Sequence, residues 1–363
     1  MKTVKYLTAL FLIFVSCLGF PKQSYAASFR GLGDDFNPCG GQYIEPWSIS
    51  GNGSTVVGQV SYCNNFTAFV WNRKNGIQRT SKFNDNEKFL TRGIATYKKA
   101  LIAVISKTDN KEIFLLDSKN NKQILNGINS QEKLVNNISG NGKYISGYTL
   151  DYSVKYKDQD IKAFIWNEKN GIKWLGNLGG ERIYTIPIGL SKNGSKVAGT
   201  GYSKNGREVF IWDENKGMKG IGDLPGGKFD SLARDISADG STIVGKSASG
   251  NSFNEAFIWD EEEGTRGIGD LPGGHFESYA YGVSGDGSIV VGKSSDDIFL
   301  EAFIWDKKNG MRNLQSVLTE EYGVDLTGWR LFVARDISDD GKTIMGLGTN
   351  PDGKTEAWVA KLD

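Results

Sequence analysis

The sequence predicts an all-β fold, a seven-bladed β-propeller of four-stranded antiparallel blades in which the N-terminal strand closes the last blade. Three observations carry this expectation. A motif of the form Ile/Val/Leu-Ser-x-Asp/Asn-Gly places its serine at Ser50, Ser139, Ser191, Ser237, Ser284 and Ser338, in steps of 46 to 54 residues after a first gap of 89. An aromatic motif, Ala-Phe-Ile-Trp, follows at 163–166, 256–259 and 302–305. No stretch after the N-terminal segment spaces its apolar residues as a helix would. Periods of this length, made of short β-type runs, mark propeller blades rather than β-helix coils or α-solenoids.

One unit shows how each strand arises. Residues 231–237 form a short β-compatible run, and Asp239-Gly240 turns the chain cheaply because glycine accepts positive φ. Thr242-Ile243-Val244-Gly245 is a second strand, rich in β-branched residues. Glu255–Asp260 is a third strand, Glu263-Gly264 turns again, and 265–271 make a fourth before Pro272-Gly273-Gly274. The gap between Ser50 and Ser139 holds a worn copy: Arg92-Gly93-Ile94-Ala95, Ala100–Val104 and Ile113–Asp117, which lacks the Asp-Gly turn and the Trp. Counting it gives seven units. The last unit stops at Asp363 without a fourth strand, whereas Arg30-Gly31-Leu32-Gly33-Asp34 repeats Arg266-Gly267-Ile268-Gly269-Asp270. The expected consequence is a ring with no free sheet edge at its seam.

At these motifs the chain resembles the bacterial HAF extracellular-repeat family. That family's unit runs Gly-Asp-Leu-x-Gly-Gly, then Ala/Asn-x-x-Gly-x-x-Val-Gly, then His-Ala-Phe-x-Trp. The matching residues are Gly222–Gly227, Gly269–Gly274 and the three Ala-Phe-Ile-Trp copies. The family's His is replaced by Thr67, Lys162, Glu208, Glu255 and Glu301, so no role tied to it carries over. The resemblance implies an exported repeat protein and no particular reaction.

Residues 1–26 read as a cleaved signal peptide: Lys2 and Lys5, an apolar run from Tyr6 to Phe20, and a small-x-small site at Ser24-Tyr25-Ala26. A lipid-attachment reading at Cys17 is weakened by Phe14. The remainder, 27–363, reads as a single propeller domain, periplasmic or extracellular, with no transmembrane segment. Export leaves Cys39 and Cys63, whose even number and shared loop face predict a disulfide. The formal charge is +1, and loss of Lys2, Lys5 and Lys22 takes it to about −2. Such a surface offers no basic stripe for nucleic acid. A monomer without cofactor or metal is the expected form.

The candidate functional residues form a column two positions before each repeat's conserved Ile or its equivalent: Trp47, Arg92, Asn136, Ile188, Arg234, Tyr281 and Arg335. On the innermost strands these would ring the mouth of the central funnel, where arginines and aromatics suit an anionic or carbohydrate ligand. The competing reading pairs the arginines with Asp235 and Asp336 or their neighbours as wedges between blades. Other features have structural explanations. Phe and Trp two apart share a strand face and serve as packing between blades. Each Asp-Gly turn supplies one carboxylate, too few for calcium. His275 is the sole histidine and cannot build a multi-histidine site. No catalytic constellation is evident, and the chain reads as a binding or scaffolding module for a glycan, peptide or partner protein rather than an enzyme. The alternative is a secreted polysaccharide hydrolase or lyase using carboxylates such as Asp34, Asp35, Glu181, Asp230 or Glu277.

Overall fold

The computed structural model describes residues 27–33, 44–62, 65–79, 89–97, 99–106, 113–117, 122–125, 133–149, 160–295 and 299–362. Within them, 28 strands pair into seven antiparallel sheets of four, arranged around one axis. Strand β1 (Ser28–Gly31) precedes the sheet β2 (Ile44–Ile49), β3 (Thr55–Tyr62), β4 (Asn65–Asn72) and β5 (Gly76–Arg79). Next come β6 (Phe89–Tyr97), β7 (Lys99–Ser106), β8 (Ile113–Asp117) and β9 (Lys122–Ile124). Three sheets follow: β10 (Lys133–Ile138) to β13 (Gly171–Trp174), β14 (Thr185–Leu190) to β17 (Gly217–Gly220), and β18 (Ser231–Ile236) to β21 (Gly264–Gly267). The sixth runs from β22 (Ser278–Val283) to β25 (Gly310–Asn313), and the last holds β26 (Arg330–Ile337), β27 (Thr343–Thr349), β28 (Thr355–Lys361) and β1.

The expectation of a seven-bladed propeller is corrected here. Six blades are built to the repeat, and the sheet β6–β9, between β2–β5 and β10–β13, is not one of them. The six share one device at the hairpin of their first two strands. Ser237 Oγ donates to Asp239 Oδ1 at 2.6 Å and accepts the N–H of Thr242 at 3.0 Å, while Asp239 Oδ1 takes the N–H of Ser241 at 2.8 Å. The same bonds recur at Ser50–Asn52, Ser139–Asn141, Ser191–Asn193, Ser284–Asp286 and Ser338–Asp340. The β6–β7 hairpin has neither the serine nor the Asx-Gly turn in its sequence, and its two strands pair antiparallel. The carboxylates of Asp239 and Asp286 serve these turns, and their hydroxyl and amide donors hold both below the usual carboxylate range against the opposing cost of burial.

A second repeated device explains the Gly and Phe of the motif. All seven innermost strands bulge, β26 twice, and in the six repeat-built blades a carbonyl of that strand stands over a glycine of its neighbour. A Cβ on Gly245 would lie 2.0 Å from the Leu232 carbonyl oxygen and 2.8 Å from the Phe257 ring. Gly58, Gly147, Gly199, Gly292 and Gly346 stand under the same two walls. The aromatic ring fills the space that the absent side chain leaves. Phe69, Phe164, Phe210, Phe257, Phe303 and Trp358 are accordingly the largest fully buried side chains among the described residues. Phe257 and Trp259 pack with Ala198, Val209 and Leu224 of the preceding blade, so the aromatic series is inter-blade core.

The seam closes as the terminal strand match predicted. Strand β1 pairs antiparallel with β28, Ser28 opposite Lys361 and Gly31 opposite Trp358. A short helical insert, 314–321, occupies the loop before β26 and buries Leu314, Val317 and Leu318 in the last blade's core. No helix among the described residues is long and apolar enough to cross a membrane.

Candidate funnel site

The column named from the sequence has one structural meaning. Each of its members is the extra residue of an innermost-strand bulge. The register breaks at Pro46/Ser48, Thr91/Gly93, Val135/Asn137, Pro187/Gly189, Ala233/Asp235, Ala280/Gly282 and Ala334/Asp336 leave Trp47, Arg92, Asn136, Ile188, Arg234, Tyr281 and Arg335 unpaired. A bulge re-aims a side chain and spends no ladder partner on it.

The structure brings three of these residues together. Arg234 and Arg335 both lie over the Tyr281 ring, with guanidinium carbons 5.6 and 5.2 Å from its centroid. Three successive blades thus meet at one tyrosine. Tyr279, two residues earlier on the same strand, stacks parallel to Tyr281 at 6.2 Å. Lys246 and Lys293 lie 5.4 and 4.6 Å from the Tyr279 ring. The phenol of Tyr279 donates to Glu277 Oε1 at 2.5 Å, and burial followed by that bond pushes its pKa up. Lys246 also donates to Asn254 Oδ1, and burial followed by the nearby Arg207 lowers its pKa. Arg335 Nη2 sits 3.3 Å from Glu45 Oε1, while its Nε is buried with no hydrogen-bond partner. Among the described residues no ion pair neutralises Arg234, which is exposed, or Lys293.

The remaining column residues do other work. Asn136 donates to the Pro187 carbonyl of the next blade, a structural bond. Trp47 and Ile188 are half-buried. The side chain of Arg92, with Cys39, Cys63, Asp34 and Asp35, lies outside the described residues. The Arg-Asp pairing weighed from the sequence does not form. Asp235 spends Oδ1 on the Ile236 N–H at 2.8 Å and Oδ2 on Val283 N–H of the next blade at 2.9 Å. Asp336 does the same with Ile337 and, across the seam, Ile49, at 2.8 and 2.9 Å. Both are staples between inner strands.

Below the arginines the channel narrows to a cavity of about 90 Å³ lined in part by Asp235, Asp336, Asp339, Lys192, Ser48 and Asn137. Backbone bonds between neighbouring turns hem its end: Lys192 N–H to Ala238 O, Asp239 N–H to Gly285 O and Gly285 N–H to Asp339 O, at 2.7, 3.1 and 2.9 Å. Enclosure pushes Asp336 up to about 7 and Asp235 well up, with Asp336's charge adding to the rise at Asp235. Both carboxylates line this cavity, and burial there outweighs the backbone donors that hold them.

The sequence reading noted glutamates at the family's His position but gave them no role. Glu208, 9% exposed, accepts the Gly222 N–H at 2.9 Å, and Glu356 accepts the Gly33 N–H at 2.7 Å. A Cβ on Gly220 or Gly31 would strike the same carboxylates. These glutamates clasp strand three to the Gly-Asp turn of strand four. The recurrence of Glu at this position in four blades, Glu208, Glu255, Glu301 and Glu356, was a signal for that role. Asp230, offered as a catalytic carboxylate, is held by both Arg207 nitrogens at 2.6 and 2.7 Å.

No family model matches the chain, and no curated protein matches it. Its likeness is to solved structures. The β-propeller domain of the trilobed protease from Pyrococcus furiosus, which has an open velcro topology, aligns with a TM-score of 0.59 at 13% identity over 89% of this chain and 95% of that one. An oligogalacturonate lyase in complex with manganese aligns at 0.58 and 14% identity over 87% and 88%. An acylaminoacyl peptidase in complex with a chloromethyl ketone aligns at 0.56 and 13% identity, over 88% of this chain and 52% of the peptidase. At such identity the likeness defines the class, a β-propeller, and nothing of its chemistry. The Pyrococcus domain's seam is open, whereas β1 closes this one.

Proposed function

We propose that the chain is an exported propeller that works as a binding module and captures an anionic ligand at the funnel. One observation carries this reading: Arg234 and Arg335, from blades two apart, converge on Tyr281, and Arg234 has no counter-ion among the described residues. A guanidinium held over an aromatic ring can still offer its edge donors to a carboxylate or phosphate, as exposed Arg234 can. The N-terminal segment as a signal peptide and the Cys39–Cys63 disulfide belong to the same proposal, since an even pair of cysteines suits an oxidising compartment. Hydrolase or lyase chemistry has less support, because Asp230, Asp235 and Asp336 are each committed to protein donors.

Arrays of acidic and neutral glycans and peptides test this reading, probed with the wild type and with R234A/R335A. Capture of acidic probes that the double variant loses, with an unchanged melting curve, supports it. Equal capture by both proteins overturns it. Polysaccharide turnover abolished by one Asp or Glu change would establish the enzymatic reading instead.

A further inference from the structure

Beside the funnel, on the face that carries the Pro-Gly-Gly loops, lies a groove of about 550 Å³. Its walls include Lys228, Phe253, His275 and Phe276, with Gly226, Gly227 and Gly250 at close quarters. Phe253 is 78% exposed, the most exposed large apolar side chain among the described residues. The groove and the funnel are joined through the chain itself. Phe253 precedes Asn254, which holds Lys246, and Phe276 precedes Glu277, which holds the Tyr279 phenol. The aromatic groove with exposed Lys228 is thus tied by adjacent residues to the Lys246–Lys293–Tyr279 cluster, which leads through the stacked Tyr281 to Arg234 and Arg335.

We infer that this continuous surface binds an acidic peptide segment, with an apolar side chain seated between Phe253 and Phe276 and carboxylates following it to Lys293 and Arg234. The inference rests on the funnel reading and names its partner. Two observations favour a peptide over an acidic polysaccharide. The faces of Tyr279 and Tyr281 are already covered by cations and by each other, so neither ring is a platform for a sugar. A phenylalanine left in solvent above a groove asks for an apolar partner, which a uronate chain lacks. The excess of cation over carboxylate along the path supplies the charge complementarity.

The test uses fluorescence anisotropy with labelled peptides in which one leucine or phenylalanine precedes a run of glutamates. Three controls accompany them: the same peptides with glutamine for glutamate, with glycine for the apolar residue, and an oligogalacturonate of matched charge. The expected result is peptide binding weakened about tenfold by F253A, by the glycine control and by K293A, and weakened by salt. Phe253 is exposed and the Lys293 contact is a cation–π contact with Tyr279, so both variants are expected to fold, which melting curves check. Uronate binding as tight as peptide binding, with F253A silent and R234A/R335A inactive, would overturn the peptide and leave the funnel reading standing. If the wild type binds neither probe, the inference and the funnel reading both fail.

Discussion

Gly33 donates its backbone N–H to Oε1 of Glu356 across 2.7 Å, joining the first described strand to the last. Leu32 adds a bond to the Ala357 carbonyl at 2.8 Å, and Glu356 Oε2 takes Asn350 Nδ2 at 2.8 Å. The seam is thus held by a carboxylate as well as by strand pairing. The same bond at Glu208 and Gly222 shows that the clasp belongs to the repeat and was reused to close the ring.

Replacing Glu356 by Ala should cost about 1.5–3 kcal/mol, the range for a hydrogen bond to a charged acceptor. Denaturant titration measures the loss. Amide exchange at Leu32 and Gly33 should accelerate more than exchange in the blade β18–β21. Uniform exchange in the variant would mean that the clasp plays no part in closure.

Gly245→Ala should destabilise by about 2 kcal/mol or more, because its Cβ would lie 2.0 Å from the Leu232 carbonyl and overpacking in a rigid core is poorly relieved. Gly264→Ala separates space from backbone conformation. Its φ is +72° with nothing near the new Cβ, so about 1 kcal/mol is expected. Comparable losses in the two variants would show that crowding under the bulge is not what selects glycine at 245.

The channel carboxylates set a pH dependence. Both pKa values are raised in the folded state, so the folded protein keeps protons that the unfolded chain has released. The folded state is therefore most favoured below the ordinary carboxylate pKa and loses stability as pH rises from about 4 to about 7. With channel water screening part of the charge, the change is ~2 kcal/mol. In Asp336→Asn the slope over that window should flatten, although an amide facing the Ile49 N–H lowers stability throughout. An unchanged slope of unfolding free energy against pH would remove Asp336 as its source.

Arg234→Ala should leave the ring almost as stable as before. An exposed cation–π contact contributes roughly 0.5–1 kcal/mol, and no ion pair is broken. A larger loss by thermal melting would mark Arg234 as a wedge between blades rather than a residue kept for a ligand.

Much of the fold was legible because its devices are local. Ser237, Asp239 and Gly240 make their turn within a few residues, so each copy announces itself in the chain. The terminal match of 30–34 to 266–270 gave the seam for the same reason. The worn copy at 92–117 was counted as a seventh blade of the repeat. It has the hydrophobic runs of strands, and these pair as a sheet, but it lacks the turn chemistry that makes the other six alike. At the funnel the column of residues was visible and its partners were not. Arg234 stands next to Asp235 in the chain and was a natural ion pair. The bulge turns it to Tyr281, 47 residues away, while Asp235 reaches Val283, 48 residues away.

What the sequence by itself determined was the repeat, its four strands and the order in which they close, because turn and strand preferences act between neighbours along the chain. Tertiary structure alone decided which faces the repeats turn to one another. Bulges re-aimed Arg234 and Arg335, enclosure shifted the carboxylates, and Phe253 came to stand beside the funnel. Those outcomes depend on distances across blades, where charge, desolvation and packing are set by residues that the chain does not keep near one another.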